Sequence, residues 1–413
     1  FYLKEFIQQL RGREILNARG KPTVEAELIT SSGITVTASV PSGTSTGKYE
    51  AFELYDGGSR YEGCGTRKAA ANISGEINDC LRGVALEDLR AIDQRICALD
   101  GTPNKSRLGG NALLAVSMAA ARAGAAAAGV PLYRWLAGEQ RKLRMPDLTA
   151  TVIAGGAFSF SGLAFEDYIL VLSGFEQFSD ELEALVAIRR QLERDVRAKY
   201  GDFLEDGGAI AAPIASDGEA FEFMLEAARK AGFEANAALG LDVASSQMYS
   251  PEDDLYRFGK LPPQNREQLL ETYLGLCREY PLRLIEDGFH EDDFEGFGML
   301  KAAAPGIQVV GDDLFATNLA RIRRGIQHDS ANTLLLKMNQ VGTITEAMDA
   351  GRFAQENGYD VIVSLRSGET TDDFAADMAL AVGARQIKAG SPVRAERNAK
   401  YNRLLKIQAQ LES

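Results

Sequence analysis

Apolar and polar positions change rhythm twice along the chain. Near the start, "PTVEAELIT" and "ITVTASV" alternate with a period of two, the mark of half-buried strands. Ser31-Ser32-Gly33 between them predicts a hairpin turn. Helical spacing follows. Its clearest run is "GNALLAVSMAAARAGAAAAG", Ala-rich and ended by Gly129 and Pro131, which predicts a buried helix against which others pack. "GEQRKLRMPD" interrupts this with charge and a proline and predicts a linker. From about residue 146 short apolar runs take turns with amphipathic stretches. The later runs are "ALGLDVA", "LRLIED", "IQVVGDD", "TLLLKMN", "VIVSLR" and "RQIKAG", with "NREQLLETYLGLCREY" and "TEAMDAGRFAQENG" among the stretches between. Repeated strand–helix units predict a parallel sheet, and this many predict closure into a barrel. The expected fold is α/β: a small α+β domain over residues 1–135, a linker over 136–145 and a barrel over 146–413.

The predicted strands finish in order on Asp242, Glu286, Asp312, Lys337, Arg366 and Lys388. In an α/β barrel every strand opens its C-terminal end on one face. One charged strand end is ordinary solvation. Six in a row, three carboxylates and then three cations, predict a site. The tip "LRSGETTDD" adds Ser367 and a glycine to Arg366, a set that fits an anion cradle.

Composition narrows the chemistry. Only two histidines, His290 and His328, occur among 413 residues, which argues against His-based triads and His metal centres. The formal charge of −13 argues against a nucleic-acid partner, since phosphate binding needs a basic face. Four scattered cysteines, with no C-x-x-C pair, are expected as thiols in a cytoplasm. No apolar run is read as a membrane span. The start "FYLKEFIQQL" lacks a cleavage site of small residues and lacks Met, so no signal peptide and a trimmed start are expected.

Three carboxylates on one rim call for a cation, and oxygen-only ligands suit Mg²⁺. Lys337 and Lys388 beside that ion are expected to shift toward the neutral form, which suits a general base. A substrate carboxylate held there has an acidified α-proton. Arg366 and Ser367 are left to hold a phosphate or second carboxylate.

These residues sit in long motifs: "VPSGTSTGKYEA", "LDGTPNKSRLGGNALLAVS", "GLDVASSQMY", "LIEDGFHEDDF", "VVGDDLFATN", "LLLKMNQVGT", "LRSGETTDDF" and "IKAGSPVRAERNAKYNRLLKI". From about Arg13 to the C-terminus the chain resembles the enolase family. The resemblance implies a lid domain followed by a barrel with one antiparallel strand, a homodimer, and a small anionic three-carbon phosphoester or phosphonate substrate. It implies no nucleic-acid or membrane partner. It further implies that Asp242, Glu286 and Asp312 bind one Mg²⁺ and Ser42 a second, that Lys337 is the base, that Lys388 neutralises the substrate carboxylate, and that Arg366 and Ser367 bind phosphate. A lysine base beside Mg²⁺ is the established pattern of that superfamily.

Departures from the family pattern cluster at the expected site. Leu365 and Phe158 stand where the family carries histidine. Glu166-Asp167 stands for Gln-Glu, and Asp206 stands for the glutamate that helps hydroxide leave. Proton abstraction is retained while the groups that assist dehydration are shortened. The pattern therefore predicts altered chemistry, with Asp167 and Asp206 as the remaining acids and Phe158 and Leu365 reshaping the substrate pocket. Carboxyphosphonoenolpyruvate synthase of phosphonate natural-product pathways is the branch of the family that fits this expectation. The alternatives are an ordinary 2-phosphoglycerate dehydratase and a non-catalytic protein on the same fold.

Overall fold

A computed structural model describes residues 4–43, 47–138, 143–156, 159–259 and 261–412. The N-terminal part builds an antiparallel sheet of β1 (Ile7–Leu16), β2 (Pro22–Thr30) and β3 (Thr35–Ser39), in that order. The predicted β2–β3 hairpin forms, with Ile29 opposite Thr35 and Glu25 opposite Ser39. Strand β1 has no counterpart in the sequence reading. Only Ile7 and Leu10 of its residues are buried, so it lacks the alternation that marks a strand.

Helices α1 (Leu89–Asp100) and α2 (Gly110–Ala128) complete this unit, and α2 packs on β2 and β3. Its small residues permit close approach: a Cβ on Gly124 would lie 2.5 Å from the Trp135 ring. Helix α2 is also long and apolar enough, by length and composition alone, to cross a membrane. Within the fold 78% of it is buried, so the apolar length serves the domain interior.

The second part contains β4 (Asp147–Ala154), β5 (Asp167–Leu172), β6 (Leu204–Asp206), β7 (Ala209–Ala211), β8 (Ala237–Asp242), β9 (Leu282–Glu286), β10 (Gln308–Gly311), β11 (Thr333–Leu336), β12 (Asp360–Ser364) and β13 (Gln386–Lys388). Eight of these close a barrel in the order β13-β12-β11-β10-β9-β8-β5-β4, sealed where Lys388 pairs with Thr149. Strand β5 runs against both neighbours. The short β6–β7 hairpin hangs from β4 through Ile153 and Ile210. Ile169, Val171, Leu284, Val310, Leu335 and Ile362 pack together as a separate apolar cluster inside the barrel, as alternation along barrel strands requires.

Helices between strands begin where local chemistry starts them. Asn265 and Gln268 form a reciprocal capping box at the head of Arg266–Glu279, satisfying two amides that the helix cannot. The long helix α3 (Phe178–Tyr200) follows β5 and turns Ala184, Leu185, Ile188 and Leu192 inward.

Candidate active site

The reversed strand explains how the site is assembled. Strands β8, β9 and β13 end on Asp242, Glu286 and Lys388. Asp312 and Lys337 follow β10 and β11 directly, and Arg366 lies two residues past β12. Because β5 runs backwards, its first residue rather than its last reaches this rim, and Asp167 pairs with Asp242. Asp242, Asp312, Lys337, Arg366 and Lys388 line one cleft of about 180 Å³. Asp167, Asp206, Leu365 and Ser367 line it too. Glu286 is fully buried and meets the others through Lys388.

Lys388 stands among three carboxylates. Its Nζ lies 2.8 Å from Glu286 Oε2, 3.2 Å from Asp242 Oδ2 and 3.2 Å from Asp167 Oδ2. Burial pulls the ammonium down, but Glu286, Asp242 and Asp167 outweigh it and hold the group well above its ordinary value. Lys337 contacts Asp312 Oδ2, whose other oxygen accepts from Gln340 Nε2 at 2.7 Å. Burial opposes the charge on Lys337 as well, and Asp312 more than offsets it. The same contact overcomes burial to lower Asp312. Both lysines are thus held in the charged form by carboxylates that touch them. The expectation of lysines shifted toward neutrality concerns the site with an ion beside them; without that ion these direct contacts dominate.

Arg366 is buried against Glu50 from the N-terminal domain, NH1 to Oε2 at 2.6 Å, and also reaches Asn339 Oδ1 at 3.1 Å. Burial lowers its affinity for a proton, yet the Glu50 contact raises the balance. Ser42 belongs to the same seam. Its backbone pairs with Gly368 and its Oγ accepts from Asn17 Nδ2 at 2.7 Å. Asp206 is held by Arg19, NH2 to Oδ1 at 2.6 Å, while Arg19 Nε reaches the Ser367 carbonyl at 3.3 Å. Leu365 is buried and borders both the cleft and a small void beside Lys400 and Phe374. Phe158 lies outside the described residues.

The tightest acidic grouping among the described residues differs from the expected one. Asp287, Asp312 and Asp313 each bring an oxygen within 4.8 Å of the others. Asp242, Glu286 and Asp312 do not form such a group; Lys388 contacts Asp242 and Glu286, and Lys337 contacts Asp312. Asp287 is a brace: its two oxygens accept the backbone amides of Asp312 and Asp313 at 3.0 and 2.8 Å. Burial and the neighbouring Asp312 push Asp313 up to about 7.

The donor set still fits a hard divalent cation. Glu286 Oε1 is buried with no hydrogen-bond partner, a costly arrangement for a carboxylate. Burial and the neighbouring Asp242 drive the Glu286 carboxyl well above its ordinary range, and a cation there would relieve both.

Sequence reasoning overlooked Arg19, Glu50, Asn339, Gln340, Asp287 and Thr151, whose Oγ1 donates to Asp167 Oδ2 at 2.9 Å. Arg19 and Glu50 come from the N-terminal domain, so no strand-end rule finds them. Their signal lies in the motifs "NARGKPT" and "STGKYEA" that bear on the site from outside the barrel. Neither histidine lines the cleft; His290 stacks on Tyr249 at 4.0 Å.

Comparison with known proteins matches two family models. One, described as "Enolase, N-terminal domain", covers residues 7–136; the other, "Enolase, C-terminal TIM barrel domain", covers residues 142–413. The chain is 43% identical to a protein named Enolase from Methanopyrus kandleri, over 98% of this chain and 96% of that one. It is 43% identical to Enolase from Rubrobacter xylanophilus, over 98% and 95%. With Enolase from Pyrococcus furiosus it shares 44% identity over 97% and 94%. These names favour an ordinary dehydratase over the phosphonate-pathway branch that the altered pocket suggested.

Proposed function

The chain belongs to the enolase family, and on that premise we propose that it dehydrates 2-phosphoglycerate to phosphoenolpyruvate with Mg²⁺. The observation that carries this reading is the single cleft in which Lys337, Lys388, Arg366 and the strand-end carboxylates meet. Asp242, Glu286 and Asp312 would hold one Mg²⁺, and Ser42 a second. Bound Mg²⁺ supplies positive charge that stabilises the second negative charge developing on the substrate carboxylate.

The chain's own residues do the rest. Arg366 and Ser367 hold the substrate phosphate and fix its orientation. Lys388 keeps its proton and faces the substrate carboxylate. Lys337 gives up its contact with Asp312, releases its ammonium proton to solvent, and as the neutral amine takes the proton from C2. The freed electron pair first moves into the substrate carboxylate as a second negative charge, and in a second step it returns to form the C2–C3 double bond as the C3–O bond breaks. A carboxyl group at the Asp206–Asp167 side, having taken up a proton from solvent, passes it to the departing hydroxide, so one water leaves.

A second reading keeps the proton abstraction but gives the cleft a larger phosphonate-bearing substrate. The observation in its favour is Leu365, an apolar side chain beside Arg366 that offers no proton to a leaving hydroxyl. The experiment that decides is the steady-state rate of phosphoenolpyruvate formation from 2-phosphoglycerate with Mg²⁺. Turnover supports the first reading. Its absence, with phosphoenolpyruvate still bound, supports the second.

A further inference from the structure

We propose that Arg189, a buried arginine of α3, is a positioning residue that holds the turn bearing Asp206 in place; this rests on the reading of the cleft as a dehydratase site. The Arg189 side chain is only 1% exposed. Burying a guanidinium is costly unless its donors are met, and here they are met by three separate segments. NH2 donates to Glu205 Oε1 at 2.9 Å and to the Gly208 carbonyl at 3.1 Å. Nε donates to Ser391 Oγ at 3.1 Å. NH1 donates to Glu193 Oε2 one helical turn away, at 3.2 Å.

The two ends of this grip bear on the reacting groups. Glu205 and Asp206 are consecutive residues of β6, so their side chains leave the hairpin on opposite faces. Asp206 faces the cleft and Arg19. Glu205 faces away, to Arg189 and to Arg394, whose NH2 lies 2.8 Å from Oε2. The turn that joins β6 to β7 is Gly207-Gly208, both with positive φ, and has little stiffness of its own. A Cβ on Gly208 would lie 2.8 Å from Val393 and 3.3 Å from Ser391 Cβ, so the hairpin rests directly on the segment that follows Lys388. Arg189 thus ties the Asp206 turn to α3 and, through Ser391, to the strand end carrying Lys388. The short β6–β7 hairpin is joined to the barrel by the single Ile153–Ile210 pair, so this ionic clamp sets where the Asp206 carboxyl stands.

A clamp of this kind affects the two halves of the reaction unequally. Lys337 lies across the cleft on another strand end, so removal of the C2 proton does not depend on the hairpin. Loss of hydroxide does. The test compares Arg189→Met with the wild type in two assays on 2-phosphoglycerate and Mg²⁺: phosphoenolpyruvate formation, and deuterium entry at C2 in D₂O. Displacing a catalytic group by about an ångström costs on the order of a hundredfold. Dehydration should fall about ten- to a hundredfold in kcat with KM within about threefold, while C2 exchange stays within about threefold of wild type. Glu205→Gln leaves the arginine in place and should show the same split more weakly, which covers the case in which Arg189→Met does not fold. Both activities falling in proportion, or neither falling, overturns the inference alone. A wild type that forms no phosphoenolpyruvate overturns the functional reading and this inference with it.

Discussion

Asp167 stands directly opposite Asp242 across two strands that run in opposite directions, and Lys388 Nζ lies 3.2 Å from a carboxylate oxygen of each. Two acids at adjacent strand tips would repel each other. One lysine from the strand that closes the barrel holds them together. The same lysine contacts Glu286, so three rim carboxylates share one cation.

Lys388→Met should therefore destabilise the fold. It removes the partner of a fully buried glutamate, and breaking a buried ion pair typically costs about 3–5 kcal/mol. Mg²⁺ binding near Glu286 should recover part of that loss through linkage. Thermal unfolding in EDTA and in excess Mg²⁺ should show a larger metal-dependent rise in Tm for the variant than for the wild type. An equal rise in both proteins contradicts the placement of the cation beside Glu286.

Lys337 is expected to be the base. In D₂O with 2-phosphoglycerate and Mg²⁺ the wild type should introduce deuterium at C2, and Lys337→Ala should not. Exchange at the same rate in both proteins removes Lys337 from that role, whatever happens to overall turnover.

Glu50→Gln should loosen the seam between the domains and change anion binding. Arg366 and Glu50 are both buried, with NH1 and Oε2 2.6 Å apart. Neutralising the acid removes a buried carboxylate that touches the guanidinium, and breaking such a pair typically costs about 3–5 kcal/mol. Inorganic phosphate should then raise Tm more in the variant than in the wild type, because an external anion replaces the lost carboxylate. A smaller phosphate effect in the variant would show that Glu50 is needed to orient Arg366 for anions.

Much of this site was legible before any coordinates. The six charged strand ends are visible because each follows an apolar run, and a barrel brings such ends to one face. Asp167 is legible only through the family resemblance, because it begins its strand and reaches the rim through a reversal no local pattern announces. Arg19, Glu50 and Arg189 were invisible for another reason. Each acts across a long stretch of sequence: the motifs around Arg19 and Glu50 mark those segments but not what the side chains touch, and nothing beside Arg189 distinguishes it from a solvated surface arginine. Strand β1 escaped because the sheet buries so few of its side chains. The direct contacts of the lysines with Asp312 and Glu286 are a matter of ångströms, which spacing along the chain does not give.

Glu181 offers a test of pH dependence remote from the site. It sits at the head of α3, accepts the Leu148 amide at 2.7 Å, and burial pushes its carboxyl from 4.5 up to about 7. A raised pKa contributes stability that is fully present below about 4.5, fades between 4.5 and 7, and is lost above that. Above pH 7 the native state thus bears a buried charge. Glu181→Gln keeps the acceptor and removes the charge, so it should stabilise at pH 8 by up to about 3 kcal/mol, at about 1.36 kcal/mol per pKa unit, and have little effect near pH 4.5. Urea midpoints at the two pH values measure this; a gain of equal size at both contradicts it.

The most direct test of the central claim is the initial rate of phosphoenolpyruvate formation from 2-phosphoglycerate, followed by absorbance with Mg²⁺ and again after chelation. The account predicts a kcat within the ordinary enzyme range of about 1–10³ s⁻¹, lost on chelation and restored by added Mg²⁺. No phosphoenolpyruvate above background in the presence of Mg²⁺, from folded protein, would contradict it.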